Sequence, residues 1–126
     1  GQWGREFNFR VRLEAEVARM KKAHLVQLVV QGGEGTLGVI RQMAESLHPI
    51  VLMVDSGGAA TAIHEHVEGS LTEEGYKKIA RRRSVEQIKQ DLDAIKAMHR
   101  KTGGVLCAVP RHACSRCARF CLADCI

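Results

Sequence analysis

Residues 29–43 read VVQGGEGTLGVIRQM. An apolar run ends at three glycines within four residues, and a threonine then precedes an amphipathic stretch. Two interpretations fit this order. The segment is either a tight turn between a strand and a helix, or a loop that holds a phosphate group at a helix N-terminus. We call residues 32–36 the glycine loop. The residues around it help to decide between a tight turn and a phosphate-binding loop.

Two short apolar runs flank the glycine loop, VQLVV at 26–30 and IVLMV at 50–54. Both are continuously apolar, which predicts parallel strands buried on both faces. Between them apolar side chains recur every three or four residues, which predicts one face of a helix. These side chains are Leu37, Ile40, Ala44 and Leu47. Thr36 is predicted to cap the start of this helix, and Pro49 to enforce its end.

The stretch DSGGAATAIHEHVEG at 55–69 repeats this plan. A glycine turn, which we call the second turn (residues 55–58), precedes a helix with Ala60, Ile63 and Val67 on one side. Two successive units of strand, glycine turn and helix predict an α/β, Rossmann-like, three-layer fold with a short parallel sheet. The two turns would then leave adjacent strands at one carboxyl edge, where open α/β sheets bind ligands.

The segment FNFRVRLEAEVARMKK at 7–22 is compatible with two structures. Its apolar residues alternate at the start, as in a strand, but a longer set recurs at helical spacing and ends in basic residues, which suit a helix C-terminus. We therefore predict a helix. The helical set is Phe9, Leu13, Val17 and Met20.

Downstream, the SVEQ sequence at 84–87 is typical of a capping box. It predicts a helix that buries Ile88, Leu92 and Ile95 and closes near Gly103. GGVLCAVP at 103–110 predicts a third strand. Such a sheet is small, which indicates a partial domain that lacks upstream residues, with additional C-terminal helices.

At 126 residues the chain has room for one domain with a real core. We divide it into a nucleotide-binding core at 1–70, a basic helical segment at 71–102, and a strand with a cysteine-rich tail at 103–126. Residues 1–71 contain seven basic and eight acidic side chains, whereas residues 72–101 contain nine and five. Basic residues are thus not spread over the chain and aromatic residues make up 4%, so we predict no nucleic-acid partner.

Backbone N–H groups at a helix N-terminus attract anions, and glycines allow an anion to approach because they have no Cβ. A single glycine loop would favour an ordinary turn, whereas two such turns on adjacent strands favour ligand binding. The candidate ligand-binding residues in these turns are Gly32, Gly33, Glu34, Gly35, Thr36, Ser56 and Gly57.

Three stretches together carry a resemblance to a family: GGEGT, IVLMVDSGGAATAI, and the upstream GQWGREFNFRVRLEAEV. They resemble the SLOG nucleotide-binding superfamily and, within it, the N-terminal cytosolic domain of TRPM-type cation channels. The resemblance covers residues 1–67. It implies a cytosolic domain that senses ADP-ribose-like nucleotides and regulates a calcium-permeable channel anchored in the membrane through other segments. It also implies neighbouring channel domains or subunits as partners.

The resemblance places two further residues in the ligand site. Trp3 falls at an aromatic position that stacks on the base, and Arg10 at an arginine that pairs with phosphate. A core position for Trp3 and an ion pair of Arg10 with Glu14 are the alternatives. One departure concerns the second turn, where Gly58 replaces the family's arginine and Asp55 replaces the usual glycine. This departure implies binding that is weaker, differently specific or vestigial.

Two other functions remain open. The domain could keep its fold and serve as a non-binding assembly module that packs against neighbouring subunits. Alternatively, it could resemble the Lonely Guy phosphoribohydrolases, whose loop reads P-G-G-x-G-T-x-x-E. Here Val39 stands where their glutamate is needed, and an apolar side chain cannot move a proton. We therefore predict neither an enzyme nor a cofactor.

No metal site is predicted. His64 and His66 diverge on a helix, and a solvated face is the better interpretation. Residues 81–83, three arginines, are also interpreted as a solvated run, with contact to an acidic partner or a membrane surface as the alternative. The tail cysteines fall at helical spacing, which favours small apolar packing residues over a zinc site, although a non-helical tail could bind zinc. These cysteines are Cys114, Cys117, Cys121 and Cys125.

Overall fold

The computed structural model describes residues 5–110. In this part of the chain five α-helices, a short 3-10 turn and three strands follow one another. In chain order they are α1 (Arg5–Lys21), β1 (Gln27–Val30), α2 (Glu34–Glu45), β2 (Ile50–Met53), the 3-10 turn (Val54–Ser56), α3 (Gly58–Glu68), α4 (Glu73–Ile79), α5 (Val85–Thr102) and β3 (Leu106–Val109). The cysteine-rich tail lies outside the described residues, so its predictions stay predictions.

The three strands form one parallel sheet in the order β1-β2-β3. Each strand pairs with the next in the chain, and right-handed crossovers in one direction place the connecting helices on one face. In agreement with this rule, α2 and α5 pack against each other. The α/β, Rossmann-like class with a short parallel sheet is confirmed.

The hydrophobic core lies between this face of the sheet and the helices. Val29 of β1 and Ile50 and Leu52 of β2 are buried there. The helices contribute the buried residues Leu37, Ile40, Met43, Ile63, Ile88, Leu92 and Ile95. The basic segment at 71–102 therefore shares one core with the preceding residues.

The opposite face of the sheet differs between its strands. The prediction of burial on both faces is confirmed for Ile50, Val51 and Leu52 of the central strand. For the edge strand β1 it is wrong, because Leu28 and Val30 are 57% and 55% exposed. Their side chains point away from the face that α2 and α5 cover, since side chains alternate along a strand.

The helix predicted upstream is confirmed as α1. Val11 is buried against the core, and Phe7 packs beside it. The apolar set with helical spacing lies on the outer side of α1, with exposures between 48% and 69%. We call this set the α1 stripe; it comprises Phe9, Leu13, Val17 and Met20.

The prediction for the C-terminal end of α2 is partly wrong. The helix ends at Glu45, and Leu47 is 57% exposed with a positive φ of 59° instead of lying on the buried stripe. The Leu47 N–H donates to Ala44 O and the His48 N–H to Met43 O, both at 3.0 Å. This is the Schellman arrangement, which ends the helix before Pro49.

The predictions for α5 and β3 are confirmed. The Ser84 hydroxyl and the Gln87 side chain form the capping box, and Gly103 ends α5 in the left-handed region with φ 72°. Leu106–Val109 then pairs with β2. None of the helices in the described part of the chain has the length and hydropathy that a bilayer crossing requires.

Candidate functional site at the carboxyl edge of the sheet

The glycine loop connects β1 directly to α2. The chain turns through positive φ values at Gln31 (57°) and Gly32 (83°), and Gly33 is the N-cap in an extended conformation. Thr36 is the third residue of the helix, so its predicted role as N-cap is wrong. Its Oγ1 instead accepts the Gly33 N–H at 3.2 Å, which fixes the loop against the first turn of α2.

The N-terminus of α2 is open to solvent. A Cβ added at Gly33 would have no neighbouring atom within 4 Å. The N–H groups of Glu34 and Gly35 lie in the first turn, where an α-helix provides no acceptor. The loop therefore offers backbone donors to a ligand without a side chain in front of them.

The second turn, by contrast, packs against the glycine loop. The Ala59 N–H donates to Gly32 O at 3.0 Å, and the Ala60 N–H donates to Gln31 O at 2.9 Å. The donors at the start of α3 thus bind backbone carbonyls. At Gly58, with φ 60°, a Cβ would collide with the Gly32 carbonyl oxygen. This packing explains why glycine stands where the resemblance leads us to expect arginine.

Of the two candidate ligand-binding residues in the second turn, Ser56 takes part in this packing, whereas Gly57 makes its hydrogen bond within the turn and α3. Ser56 is buried, and its hydroxyl accepts the Gln31 N–H at 2.7 Å and donates to Met53 O at 2.6 Å. The Gly57 N–H donates to Thr61 Oγ1 at 2.9 Å. Ser56 thus fixes the second turn to Gln31 at the end of β1, and the contact of Ser56 and Gly57 with a ligand stays a prediction.

The three arginines at 81–83, which we call the arginine segment, lie beside the glycine loop. The Glu34 carboxylate accepts the backbone N–H of Arg81 at 2.9 Å, of Arg82 at 2.9 Å and of Arg83 at 3.2 Å. These hydrogen bonds, that of Arg82 above all, lower the pKa of Glu34. The interpretation as a solvated run was therefore incomplete, because the backbone of this segment is fixed to the loop.

A buried carboxylate on α5 also binds the arginine segment. Asp91 of α5 is buried, and its carboxylate pairs with Arg83 at 2.6 Å and with Arg41 of α2 at 3.1 Å. A buried carboxylate requires such partners, because loss of hydration is costly for a charge. Asp91 thus joins α2, α5 and the arginine segment.

The glycine loop and the arginine segment line one open cavity of about 690 Å³. Its wall also contains Phe7 of α1, an aromatic side chain that the sequence analysis did not assign to the site. The cavity falls within the size range of small-ligand sites. Its lining residues are Phe7, Gly33, Glu34, Gly35, Thr36, Gly38, Arg81, Arg82 and Arg83.

The two residues placed in the site by resemblance have different positions. Trp3 lies outside the described residues. Arg10 forms an ion pair with Glu14 at 2.9 Å, which was its alternative, and it is not part of the cavity wall. Its contact with phosphate stays a prediction.

His66 and Val39 both point into the protein rather than to solvent. His66 does not lie on a solvated face, because its ring nitrogens contact Tyr76 Oη at 2.8 Å and Asp93 Oδ1 at 2.9 Å. It therefore connects α3 with α4 and α5. Val39 is buried in the core, so an apolar, inward-facing side chain occupies the position of the Lonely Guy glutamate.

The chain is thus an α/β domain of Rossmann-like topology with an open glycine loop and adjacent arginines at the carboxyl edge of its sheet. Comparison with protein families matches residues 1–107 to the family described as "SLOG in TRPM". The chain belongs to this family, and the match extends beyond the motifs that carried the resemblance. A comparison with curated proteins found no match.

Proposed function

We propose that this chain is a cytosolic nucleotide-sensing domain of a TRPM-type, calcium-permeable cation channel. Its ligand is ADP-ribose or a related adenine nucleotide, and its neighbours are other domains or subunits of the channel. Family membership supports the association with such channels. The nucleotide is inferred from the site.

One observation supports the ligand most directly: the open N-terminus of α2 faces a cavity with three arginines in its wall. Backbone donors and the helix dipole favour an anion at this point, and guanidinium groups bind phosphate oxygens in pairs. The cavity has room for more than a phosphate, and Phe7 provides an aromatic surface within it.

Substitution of Gly33 tests the role of the loop. Gly33→Val is expected to abolish binding of ADP-ribose, AMP and inorganic diphosphate, because its side chain would fill the space in front of the α2 donors. The Gly33 φ of −125° is accessible to valine and the added Cβ meets no atom, so the fold should persist. Isothermal titration of the 126-residue chain measures binding, and thermal unfolding of both proteins checks the fold.

If the folded wild-type chain gives no heat with any of the three ligands, the domain is not a nucleotide sensor. If folded Gly33→Val still binds the ligands, the binding site does not include the glycine loop.

A second candidate function is the assembly module, and the α1 stripe favours it. Four apolar side chains on one helix face are exposed, whereas single scattered apolar residues would need no explanation. In this case the domain packs against neighbouring subunits through α1. The α1 stripe and the cavity are lined by different residues, so variants can test assembly through α1 and ligand binding in the cavity independently.

A further inference from the structure

The arginine segment contains side chains with different partners. The Arg83 guanidinium forms an ion pair with the buried Asp91, and it also donates to Gln87 O at 3.3 Å. Among residues 5–110, the guanidinium groups of Arg81 and Arg82 take part in no ion pair and no side-chain hydrogen bond. Both residues are exposed, and both line the cavity.

The backbone of this segment is nevertheless fixed. Three N–H groups bind the Glu34 carboxylate, and the Arg83 side chain is tied to α5. Arg81 and Arg82 therefore extend from an anchored backbone, so less conformational entropy is lost when they bind an anion.

Charge in the cavity wall points to the kind of anion. The wall contains three arginines and one glutamate, which gives it a formal charge of +2. The Glu34 carboxylate is already engaged by backbone donors, which limits its repulsion of a ligand. A pyrophosphate bridge between two nucleosides or sugars carries two negative charges and presents oxygens to two guanidinium groups at once.

On the basis of the proposed function, we propose that Arg81 and Arg82 bind the pyrophosphate group of the ligand. They supply the cations that the second turn lacks, because Gly58 has no room for a side chain beside Gly32 O. Glu34 is the positioning residue for this contact, since its carboxylate holds the arginine segment beside the glycine loop.

The test compares two double variants that remove equal charge. R81A/R82A is expected to weaken binding of inorganic diphosphate at least tenfold, since charge-assisted hydrogen bonds to both arginines are lost. K77A/K78A removes two exposed lysines of α4 that are not part of the cavity wall, and its affinity should stay within about twofold of wild type. Isothermal titration at low and moderate salt measures the diphosphate affinity of both double variants.

Alanine keeps the N–H groups that bind Glu34, so R81A/R82A should fold. If its thermal unfolding shows that it does not, R81K/R82K replaces it. Lysine keeps the charge but cannot bind two oxygens with a fixed planar group. A clear loss of diphosphate affinity in R81K/R82K then supports the assignment, and wild-type affinity overturns it.

The remaining outcomes separate this assignment from the proposed function. Wild-type affinity in R81A/R82A, or equal losses in both double variants, overturns the role of the two arginines. If Gly33→Val abolishes binding in the same experiment, the glycine loop still binds the nucleotide. If wild type binds neither diphosphate nor ADP-ribose, both proposals are wrong.

Discussion

Glu34 is the residue that connects the two halves of the candidate site. It follows the N-cap of α2, and its carboxylate accepts three backbone N–H groups from the arginine segment. A negative charge in the first turn of a helix is also favourable for the helix dipole. Both effects stabilise the ionised form, in agreement with the lowered pKa of this carboxyl group.

This lowered pKa predicts an acid-sensitive contribution to stability. The contribution is fully present above the ordinary pKa of glutamate and is lost as the pH falls through the lowered value, because the unfolded chain then binds the proton more readily. Glu34→Gln should therefore have a lower melting temperature than wild type at neutral pH, and the difference should shrink in acid. Circular dichroism melts over a pH series measure this.

Glu74→Gln, the same change at an exposed position in α4, is the matched control for that series. Its melting temperature should stay close to that of wild type at every pH of the series. A melting-temperature difference for Glu34→Gln that does not vary with pH would contradict the role of the ionised carboxylate.

At the scale of elements, three helices end in the same way. After α1, α2 and α3, paired backbone hydrogen bonds close a Schellman arrangement around a residue with positive φ. That residue is Lys22 (51°), Leu47 (59°) and Gly69 (81°), respectively. Only glycine adopts this region without a steric penalty from its side chain.

Leu47→Gly is therefore expected to stabilise the domain by about 0.5–1 kcal/mol. Relief of a strain of about 1–2 kcal/mol outweighs the greater freedom of glycine in the unfolded chain, and little buried area is lost because Leu47 is largely exposed. Urea denaturation measures the free energy of unfolding.

The reverse change provides the control for the C-terminal ends. Gly69→Leu should destabilise by about 0.5–1 kcal/mol for the same balance of terms, although a Cβ at this position meets no atom within 4 Å. The loss of stability would then come from the backbone conformation and not from a clash of the new side chain. Destabilisation by Leu47→Gly would show that packing of the leucine side chain outweighs its backbone strain.

At the scale of the whole molecule, residues 5–110 expose two groups of apolar side chains, besides the single residues Val26 and Leu47. One group is the α1 stripe, and the other consists of Leu28 and Val30 on the edge strand β1. Exposed apolar faces of this kind favour association.

The α1 stripe predicts self-association of the domain. Sedimentation velocity should show concentration-dependent association of wild type, and the double variant F9S/M20S should lose it. Both side chains are 69% exposed, so the fold should not depend on them. L28S/V30S is the comparison on the sheet face and should associate like wild type. A wild-type monomer at all concentrations, or association lost only in L28S/V30S, would contradict this role of α1.

Local sequence patterns were sufficient to predict the three strands and the helices α1, α2, α3 and α5, whereas α4 was not predicted as a separate helix. The apolar runs around the glycine loop, the capping box at Ser84 and the glycine at 103 indicate strands and helix ends through interactions that span only a few residues. The glycine loop was found in the same way, because three glycines before an amphipathic helix identify the turn. These features required no knowledge of distant contacts.

Tertiary structure alone decided which surfaces are covered and which side chains meet. Periodicity predicted α1 correctly but not which of its faces points to the core, since both Val11 and the α1 stripe are apolar. The arginine segment joins Glu34 across 47 to 49 residues through backbone N–H groups, which have no side-chain pattern to detect. Its position depends on the packing of α5 against α2, and therefore only the folded chain brings arginines to the glycine loop.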